Sequence, residues 1–513
     1  MSRERPPFER ILVANRGEIA VRIIRACHEW GMTAVAVYSD ADAGARHVKL
    51  ADDAVRLGPP PPAESYLRID AIVDAALATG AQAVHPGYGF LSERAAFARA
   101  VEDAGLVFVG PPSGVIDALG DKLHARRMAR SVGVDTVPGT LEPAPVDRAD
   151  AVEEIVAEAE RIGFPVMVKA AAGGGGRGMR LVATPTELPA ALAAGSTEAA
   201  AAFGDGSVYL ERVIRPARHI EVQLLGDASG HVVAIGERDC SLQRRHQKLV
   251  EEAPAPGLSP DERRDLHDRA VRVATAAGLQ NAATAEFLRG PDGATWFLEV
   301  NTRLQVEHGV TELVTGLDIV AEQFRLAAGR PLSFAVIAAA ERAAVPTSHA
   351  IEVRLSAEDP SIDFAPRPGR IRHWVMPEGP GVRVDTGVGE GDDVPPDYDN
   401  LVAKVMVHAG DRPAAIDRLR RALDETEVAG IQTTLPFHRF VARHPRFAAA
   451  ELSTDWVAEA WDGRSPRAEV AAGAAVAAAS FDAKAAPAGE ERAPAGSGWA
   501  TAARADAVDR WPR

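Results

Sequence analysis

Short apolar runs alternate with amphipathic stretches over the first 110 residues. Residues 11–15 and 33–39 predict buried strands, and the apolar spacing over 18–30 predicts a helix between them. The same spacing predicts helices over 66–78, 120–131 and 150–162. Because strand, helix and strand follow one another, we expect a parallel α/β domain over residues 1–118.

The pattern changes further along the chain. Residues 208–313 predict strands joined by antiparallel connections, and 349–407 predict short strands separated by glycine and proline. We therefore expect a second domain over 119–345 and a mainly β third domain over 346–457. Residues 458–513 are rich in Ala, Gly and Pro and have too few large apolar residues to build a core, which favours a linker or tail.

Composition narrows the class of protein. The chain has 513 residues, 46% of them hydrophobic and 25% charged, which is typical of folded proteins with about three domains. It has no apolar run of the ~20 residues that a membrane span needs and no secretory signal, so we expect a cytoplasmic protein. Two cysteines exclude a disulfide framework, and the net charge of −15 argues against nucleic acid as the main partner.

Lysine is rare in this sequence. Only six of the 57 basic residues are lysines, so arginine serves almost wherever a general positive charge is needed. An ammonium is a compact point charge, whereas a guanidinium is a planar fork. Some of the six lysines are therefore expected where arginine cannot substitute, for example at phosphate oxygens, although chance is an equal alternative for each.

A glycine-rich segment follows the predicted strand that ends at Lys169. Backbone amides of such a loop can lie over phosphates while the ammonium reaches their oxygens, and a flexible hinge is the alternative. The segment is not a Walker A loop, because the lysine precedes the glycines. The first strand-to-helix turn has one glycine where a dinucleotide fingerprint needs three, which disfavours NAD binding.

Residues 283–288 and 294–300 predict a β-hairpin around Asp292 and Gly293. If these two residues form the turn, Glu286 lies opposite Glu299, and two such carboxylates repel unless a cation lies between them. Magnesium or manganese suits their hard oxygens and nearby phosphates. The alternative is a pair of solvated carboxylates on an exposed ribbon.

Polar residues then alternate strictly after Glu299. If the chain stays extended, one face carries a carboxylate and an amide for a metal, an arginine for an anion and a carboxylate for a base, namely Glu299, Asn301, Arg303, Gln305 and Glu307. The alternative is a solvent-facing edge strand. Lys248 lies in a basic cluster, and Arg354 is a further candidate anion ligand for which a structural ion pair is equally favoured.

Five segments in this order resemble biotin carboxylase, the ATP-grasp component of biotin-dependent acyl-CoA and pyruvate carboxylases. They are ILVANRGEIA at 11–20, HPGYGFLSE at 85–93, the Lys169 glycine loop, QRRHQK at 243–248 and EVNTRLQVEH at 299–308. The resemblance covers about residues 8–456. It implies an α/β amino-terminal domain, an ATP-grasp domain with a mobile glycine-rich lid at about 140–212, and a mainly β carboxyl-terminal domain.

The resemblance also implies a role for each matching residue. Lys122 and Lys169 would contact ATP phosphates, Gly175 and Gly176 would lie in the lid, and the nucleotide pocket would be lined by Glu211, Ile214, His219, Gln243, His246 and Leu288. Glu286, Glu299 and Asn301 would bind Mg²⁺ or Mn²⁺. Bicarbonate would be held by Lys248, Arg303, Gln305, Val306 and Arg354. Glu307 would be the base that deprotonates bicarbonate, and Arg303 would stabilise the biotin enolate.

The sequence departs from the family in three places. Ala172 replaces the first glycine of the usual run, and Gly309 stands where the family commonly has proline. No segment reads small-Met-Lys-Met, so we expect biotin to be a carrier-bound substrate that is not attached to this chain. The implied partners are a biotin carboxyl carrier protein and a carboxyltransferase, in a homodimer or larger complex without nucleic acid or membrane.

Two other functions stay open at this point. One is another ATP-grasp ligase that forms an acyl-phosphate, and the other is a non-catalytic nucleotide-binding subunit of a carboxylase complex. The presence of Lys248, Arg303, Glu307 and Arg354 disfavours both alternatives. Another ATP-grasp ligase would not need these bicarbonate-binding residues, and a non-catalytic subunit would be expected to have lost catalytic groups. The final acyl acceptor is not encoded here, since a separate carboxyltransferase chooses it.

Overall fold

The computed structural model describes residues 5–144, 152–171 and 179–463. Its amino-terminal part consists of β1 (Arg10–Val13), α1 (Gly17–Trp30), β2 (Thr33–Ser39), α2 (Arg46–Leu50), β3 (Asp53–Gly58), α3 (Ile69–Ala78), β4 (Ala83–His85), α4 (Ala95–Asp103), β5 (Val107–Phe108) and α5 (Ser113–Gly120). The strands pair in parallel in the order β3-β2-β1-β4-β5. The predicted parallel α/β fold is confirmed.

Helix α1 shows why this region folds as it does. Its apolar residues Ile19, Ile23 and Ile24 are buried against β1, and the helix ends at Gly31, whose φ of 75° suits glycine. At the carboxyl end of β1, the Asn15 amide donates to the carbonyls of Pro86 (2.7 Å) and Tyr88 (2.8 Å). The loops that follow β1 and β4 are thereby held together at the sheet edge where ligands bind in such folds.

The second region contains a small antiparallel sheet in the order β7-β6-β8. Its elements are α6 (Lys122–Ser131), α7 (Val152–Ile162), β6 (Val166–Ala170), β7 (Arg180–Val182), α8 (Leu188–Phe203) and β8 (Val208–Arg212). The helix predicted over 120–131 is confirmed as α6, which begins slightly later, at Lys122. The Asp121 side chain accepts from the His124 amide at 2.9 Å and caps α6, which separates α6 from α5, ending at Gly120. The predicted helix over 66–78 begins later, at Ile69.

A larger antiparallel sheet follows. Its region consists of β9 (Arg218–Gly226), β10 (Val232–Arg244), β11 (Gln247–Ala253), α9 (Pro260–Ala276), β12 (Asn281–Arg289), β13 (Thr295–Asn301), α10 (His308–Thr315), α11 (Ile319–Ala327) and α12 (Phe334–Arg342). Helix α9 begins with a capping box in which Ser259 and Glu262 satisfy each other's backbone amides. No helix in the described ranges is both long enough and apolar enough to cross a membrane.

The carboxyl-terminal region is built mainly from strands. Its elements are β14 (His349–Ser356), β15 (Glu358–Asp359), β16 (Ala365–Pro366), β17 (Gly369–Arg370), β18 (His373–Val375), β19 (Val382–Thr386), β20 (Asp393–Val394), β21 (Leu401–Ala409), α13 (Arg412–Glu425), β22 (Glu427–Ala429), α14 (Leu435–Arg443), α15 (Pro445–Ala448) and α16 (Trp456–Ala460). The expected tail at 458–513 lies outside the described residues from 464 onward.

One eight-stranded sheet joins the second and third regions, in the order β13-β12-β9-β10-β11-β14-β21-β19. Strands β11 and β14 pair across the boundary that the sequence places near residue 345, with Val250 opposite Val353. Helix α10 packs onto this sheet through Gly309, where a Cβ atom would come within 2.3 Å of Met406 Sδ. Glycine at this position therefore leaves room for the Met406 side chain.

Candidate active site

The polar residues of the candidate site lie on one face of the eight-stranded sheet. On β9 and β12 the cross-strand pairs Glu221–Glu286 and His219–Leu288 alternate with apolar pairs. The apolar residues between them, including Ile220 and Phe287, are buried in a core cluster on the opposite face. Because side chains alternate along a strand, burying one set fixes the other set on the candidate site's face.

Glu286 and Glu299 lie opposite each other, although the turn differs from the predicted one. The strands pair Arg289 with Thr295, so five residues separate them where the sequence predicts two. A pairing irregularity beyond Phe287 then leaves Leu298 unpaired and restores the predicted register at the two glutamates. The expected pair is therefore present, and the expected two-residue turn is wrong.

The extended polar strand predicted after Glu299 is also wrong. Strand β13 ends at Asn301, and the chain turns before α10 begins at His308. The side chains nevertheless converge: the Asn301 amide donates to Glu286 at 2.8 Å, and Arg303 donates to Asn301 Oδ1 (3.2 Å) and Gln305 Oε1 (3.0 Å). Tertiary folding of a loop, and not strand alternation, brings them together.

Glu307 lies between two cations. Its carboxylate accepts hydrogen bonds from Lys248 Nζ at 2.7 Å and from Arg354 Nη2 at 2.9 Å, and it is fully buried. Burial favours the neutral acid, but the charges of Lys248, Arg354 and Arg238 hold the pKa of Glu307 well below its usual range. Glu307 is therefore an ionised carboxylate at neutral pH.

Lys248 reaches this face because of an irregularity in β11. Leu242 pairs with Val250 and Gln243 pairs with Lys248, so Leu249 is left without a partner and the following side chains are re-aimed. The ammonium binds Glu221, Glu286 (3.0 Å) and Glu307. Burial opposes its charge, but these three carboxylates raise the pKa of Lys248 well above the usual value.

Two other lysines lie at the edge of the site. Lys122 starts α6, and its Nζ is 2.9 Å from Glu299 Oε2. Lys169 on β6 forms an ion pair with Glu211 on β8, and the Lys122 backbone amide donates to the Ala171 carbonyl at 3.3 Å. Although burial favours the acid form, Lys169 and Arg126 lower the pKa of Glu211. Gly175 and Gly176, together with Ala172, lie outside the described residues.

The remaining predicted residues surround this cluster. His219 is buried 3.0 Å from Glu286 Oε2, and that carboxylate raises the pKa of His219 against the effect of burial. Gln243 is buried beside Lys248, and His246 is exposed at the β10–β11 turn with a φ of 65°. Ile214 and Leu288 are half-buried, Ile214 between β8 and β9 and Leu288 on β12, while Val306 directly precedes Glu307.

Sequence reasoning missed several residues of the site. Glu221 binds both Lys248 and Arg238, Glu251 accepts from Arg354 Nε at 2.6 Å, and Glu93 forms an ion pair with Arg303 at 3.0 Å. The alternation of His219, Glu221 and Gln223 with apolar neighbours was a usable signal, since polar residues on one face of an otherwise buried strand need partners.

Three family models match the chain in succession. They are described as "Biotin carboxylase, N-terminal domain" over residues 7–116, "Carbamoyl-phosphate synthase L chain, ATP binding domain" over 121–335 and "Biotin carboxylase C-terminal domain" over 352–459. Together they span most of the described residues.

Similar proteins carry related names. A biotin carboxylase of Pseudomonas aeruginosa is 48% identical over 450 residues, which are 88% of this chain and 98% of the relative. The propionyl-CoA carboxylase alpha chain of Ruegeria pomeroyi is 46% identical over 472 residues, which are 88% of this chain and 68% of that longer protein.

Solved structures share the fold. A biotin carboxylase from Campylobacter jejuni in complex with β,γ-ATP has a TM-score of 0.84 and 41% identity, covering 88% of this chain and 99% of that one. The biotin carboxylase domain dimer of Hydrogenobacter thermophilus 2-oxoglutarate carboxylase, in complex with MgADP and bicarbonate, has a TM-score of 0.83 and 43% identity, covering 88% and 97%.

Proposed function

Because the chain belongs to the biotin carboxylase family, we propose that it carboxylates biotin on a carrier protein, using ATP and bicarbonate. This is the first half-reaction of a biotin-dependent carboxylase. The observation that supports it most directly is the position of Glu307 between Lys248 and Arg354. A base and two cations at one point are what deprotonation of a small oxyanion requires.

Bicarbonate fits this point by charge. Lys248 and Arg354 would bind its oxygens, with Gln305 and the Val306 backbone beside them. An anion bound by the same two cations draws their charge away from Glu307, so the pKa of Glu307 rises and the carboxylate becomes a better proton acceptor. The site thus pairs substrate binding with activation of its base.

The donor set suits a divalent metal ion. Glu286, Glu299 and Asn301 offer two carboxylates and one amide oxygen, which are the hard ligands that Mg²⁺ and Mn²⁺ prefer. The pairing of β12 with β13 places Glu286 opposite Glu299 and Thr284 opposite Asn301, so the three donors lie close together. These residues would hold the metal. When bound, it would neutralise charge on the phosphates of ATP.

The nucleotide would lie along the same edge. Lys122 and Lys169 would contact its phosphates, and Gly175 and Gly176 would cover them. The pocket would be lined by Glu211, Ile214, His219, Gln243, His246 and Leu288. Lys169 and Lys122 are already held near this edge by Glu211 and Glu299, which keeps both ammonium groups oriented before ATP arrives.

The chemistry follows from the weak electrophilicity of bicarbonate. Glu307 takes the bicarbonate proton, and the resulting oxyanion attacks the γ-phosphate of ATP to give carboxyphosphate and ADP. Carboxyphosphate breaks down to carbon dioxide and phosphate, and phosphate takes the ureido proton of biotin. The biotin enolate, stabilised by Arg303, then attacks carbon dioxide. Exclusion of water protects the reactive intermediate.

Several relatives are named as parts of larger carboxylases. For this chain we propose a biotin carboxyl carrier protein and a carboxyltransferase as partners, with a homodimer or larger complex as the assembly. The test of the proposed function is transfer of labelled carbon from bicarbonate to free biotin. Label in carboxybiotin only when ATP and a divalent metal are present would support the proposal, and absence of labelled product would contradict it.

A further inference from the structure

Lys404 is one of the rare lysines that the proposed chemistry does not use. It lies on β21 and is completely buried, yet β21 is two strands away from Lys248 in the eight-stranded sheet. Its direct neighbours across the sheet are Arg354 on β14 and Asp385 on β19. Directly opposed residues share a face, so Lys404 lies beside the arginine that binds Glu307.

The ammonium of Lys404 lies among one carbonyl and two carboxylates from three parts of the chain. It donates to the Val306 carbonyl at 2.8 Å, and it lies 3.1 Å from Glu18 Oε1 on α1 and 3.8 Å from Asp385 Oδ2. An ammonium has three donors in a compact group, whereas a guanidinium is a planar fork. This geometry explains why lysine, and not the arginine that this sequence otherwise prefers, occupies the position.

The two carboxylates are themselves fixed. Glu18 accepts from the Tyr88 hydroxyl, so the loop after β4 is tied to the same point. Asp385 accepts hydrogen bonds from Arg383 Nε at 3.0 Å and Arg383 Nη2 at 2.7 Å. The backbone after β19 touches α1 directly, because a Cβ atom at Gly387 would lie 2.5 Å from the Gly17 carbonyl carbon. The amino- and carboxyl-terminal regions therefore meet at Lys404.

We propose that Lys404 is a positioning residue for the catalytic loop: through the Val306 carbonyl it fixes where Glu307 lies between Lys248 and Arg354. Val306 precedes Glu307 directly, so rotation of the Val306 peptide moves the glutamate and the backbone that faces bicarbonate. The proposal rests on the proposed function. Charge balance supports it as well: burial opposes the charge of Lys404, but the charges of Glu18, Glu352 and Asp385 raise its pKa.

The test compares steady-state kinetics of bicarbonate-dependent ATP cleavage, with free biotin present, in wild type and Lys404→Met. Methionine keeps the length of the side chain and removes its charge and donors. We expect kcat/KM for bicarbonate to fall on the order of ten- to a hundredfold, the range for losing a charged hydrogen bond. The KM for ATP should stay unchanged, because Lys404 does not touch the nucleotide residues.

The matched control is Arg412→Met. Arg412 is also a largely buried cation of the carboxyl-terminal region, but it binds Glu252 and the carbonyls of Phe447 and Ala448, away from the site. We expect its kcat/KM for bicarbonate to equal that of wild type. An equal loss in both variants would mean that removing any buried cation of this region disturbs the site, and it would overturn the proposal.

A double variant distinguishes positioning from charge neutralisation. It also keeps the proposal testable if Lys404→Met alone misfolds. Glu18→Gln combined with Lys404→Met removes both buried charges, so its unfolding temperature should return toward that of wild type while the bicarbonate defect persists. Recovery of both properties would show that Lys404 only neutralises Glu18 and would overturn the proposal. So would wild-type bicarbonate kinetics in Lys404→Met. Wild-type ATP cleavage that ignores bicarbonate would instead contradict the proposed function itself.

Discussion

Glu286 and Glu299 lie directly opposite each other on β12 and β13, yet each carboxylate binds a different lysine. Glu286 Oε1 is 3.0 Å from Lys248 Nζ, and Glu299 Oε2 is 2.9 Å from Lys122 Nζ. Opposed carboxylates repel, so the pair is tolerated only where cations surround it. This pair therefore links the bicarbonate side of the site to the phosphate side, with the proposed metal position between them.

Replacing Glu299 with glutamine should weaken metal binding before anything else. The amide keeps the shape of the side chain but loses the charge, so the Mn²⁺ or Mg²⁺ concentration for half-maximal ATP cleavage should rise at least about tenfold, as for other weakened metal sites. A metal titration of ATP cleavage measures this. Glu252→Gln is the control, since Glu252 is a buried glutamate of the same sheet that binds His349 and Arg412. An unchanged metal requirement in Glu299→Gln would refute the assignment.

Glu307→Gln should abolish turnover with little effect on nucleotide binding. Glutamine fills the same space between Lys248 and Arg354 but cannot accept a proton, and loss of a general base costs ~10²- to 10⁴-fold in rate. Steady-state ATP cleavage gives kcat, and fluorescence titration with a labelled ATP analogue gives the affinity. A comparable loss of ATP affinity would mean that Glu307 holds the nucleotide or the metal.

The sequence predicted the fold correctly where the alternation of apolar residues matches the faces that are buried in the structure. The parallel α/β start, the antiparallel strands and the pairing of Glu286 with Glu299 follow from alternation and buried faces. The turn of that hairpin was not predictable in the same way. Its five-residue loop and the unpaired Leu298 compensate for each other, so a wrong turn length still placed the two glutamates correctly.

Tertiary contacts explain what the sequence did not show. The convergence of Arg303, Gln305 and Glu307 depends on a loop folded onto the sheet, not on an extended strand. Lys404 was notable in the sequence only as a rare lysine, because its partners lie far from it along the chain. Glu18 is hundreds of residues away, and Val306 is about a hundred residues away. Such long-range ion pairs leave no periodic signal.

Acid should destabilise the fold partly through His438. Burial lowers the pKa of His438 from 6.5 to about 4, while its Nε2 donates to the Arg354 carbonyl at 2.6 Å. The unfolded state then binds the proton more readily, so stability is present above pH 6.5 and is lost as pH falls toward 4. By linkage, this one group removes about 2 kcal/mol of unfolding free energy between pH 7 and 5.

His438→Gln tests that linkage, because glutamine retains an N–H donor and cannot be protonated in this range. Urea unfolding at pH 7 and pH 5 should show a smaller loss of stability in the variant than in wild type. His231→Gln is the control, since the His231 side chain is 77% exposed. Equal pH dependence in wild type and His438→Gln would contradict the prediction.

This chain should not carry biotin covalently. The sequence has no small-Met-Lys-Met segment, and Lys484 is its one lysine after residue 456, in the setting Phe481-Asp482-Ala483-Lys484. Co-expression with a biotin ligase followed by an avidin blot and intact mass should give no added biotin. A biotin-sized increase in mass would contradict the prediction, whereas carboxylation of a separately supplied carrier would agree with it.

The proposed function requires that this site activates bicarbonate with ATP for transfer to biotin. The most direct measurement is the rate of ADP formation at fixed ATP and Mg²⁺, with bicarbonate and free biotin each added or left out after the solutions are freed of dissolved carbon dioxide. We expect negligible ADP formation without bicarbonate, a measurable rate with it and a higher rate when biotin is also present. ADP formation at the same rate with and without bicarbonate would contradict the proposed function.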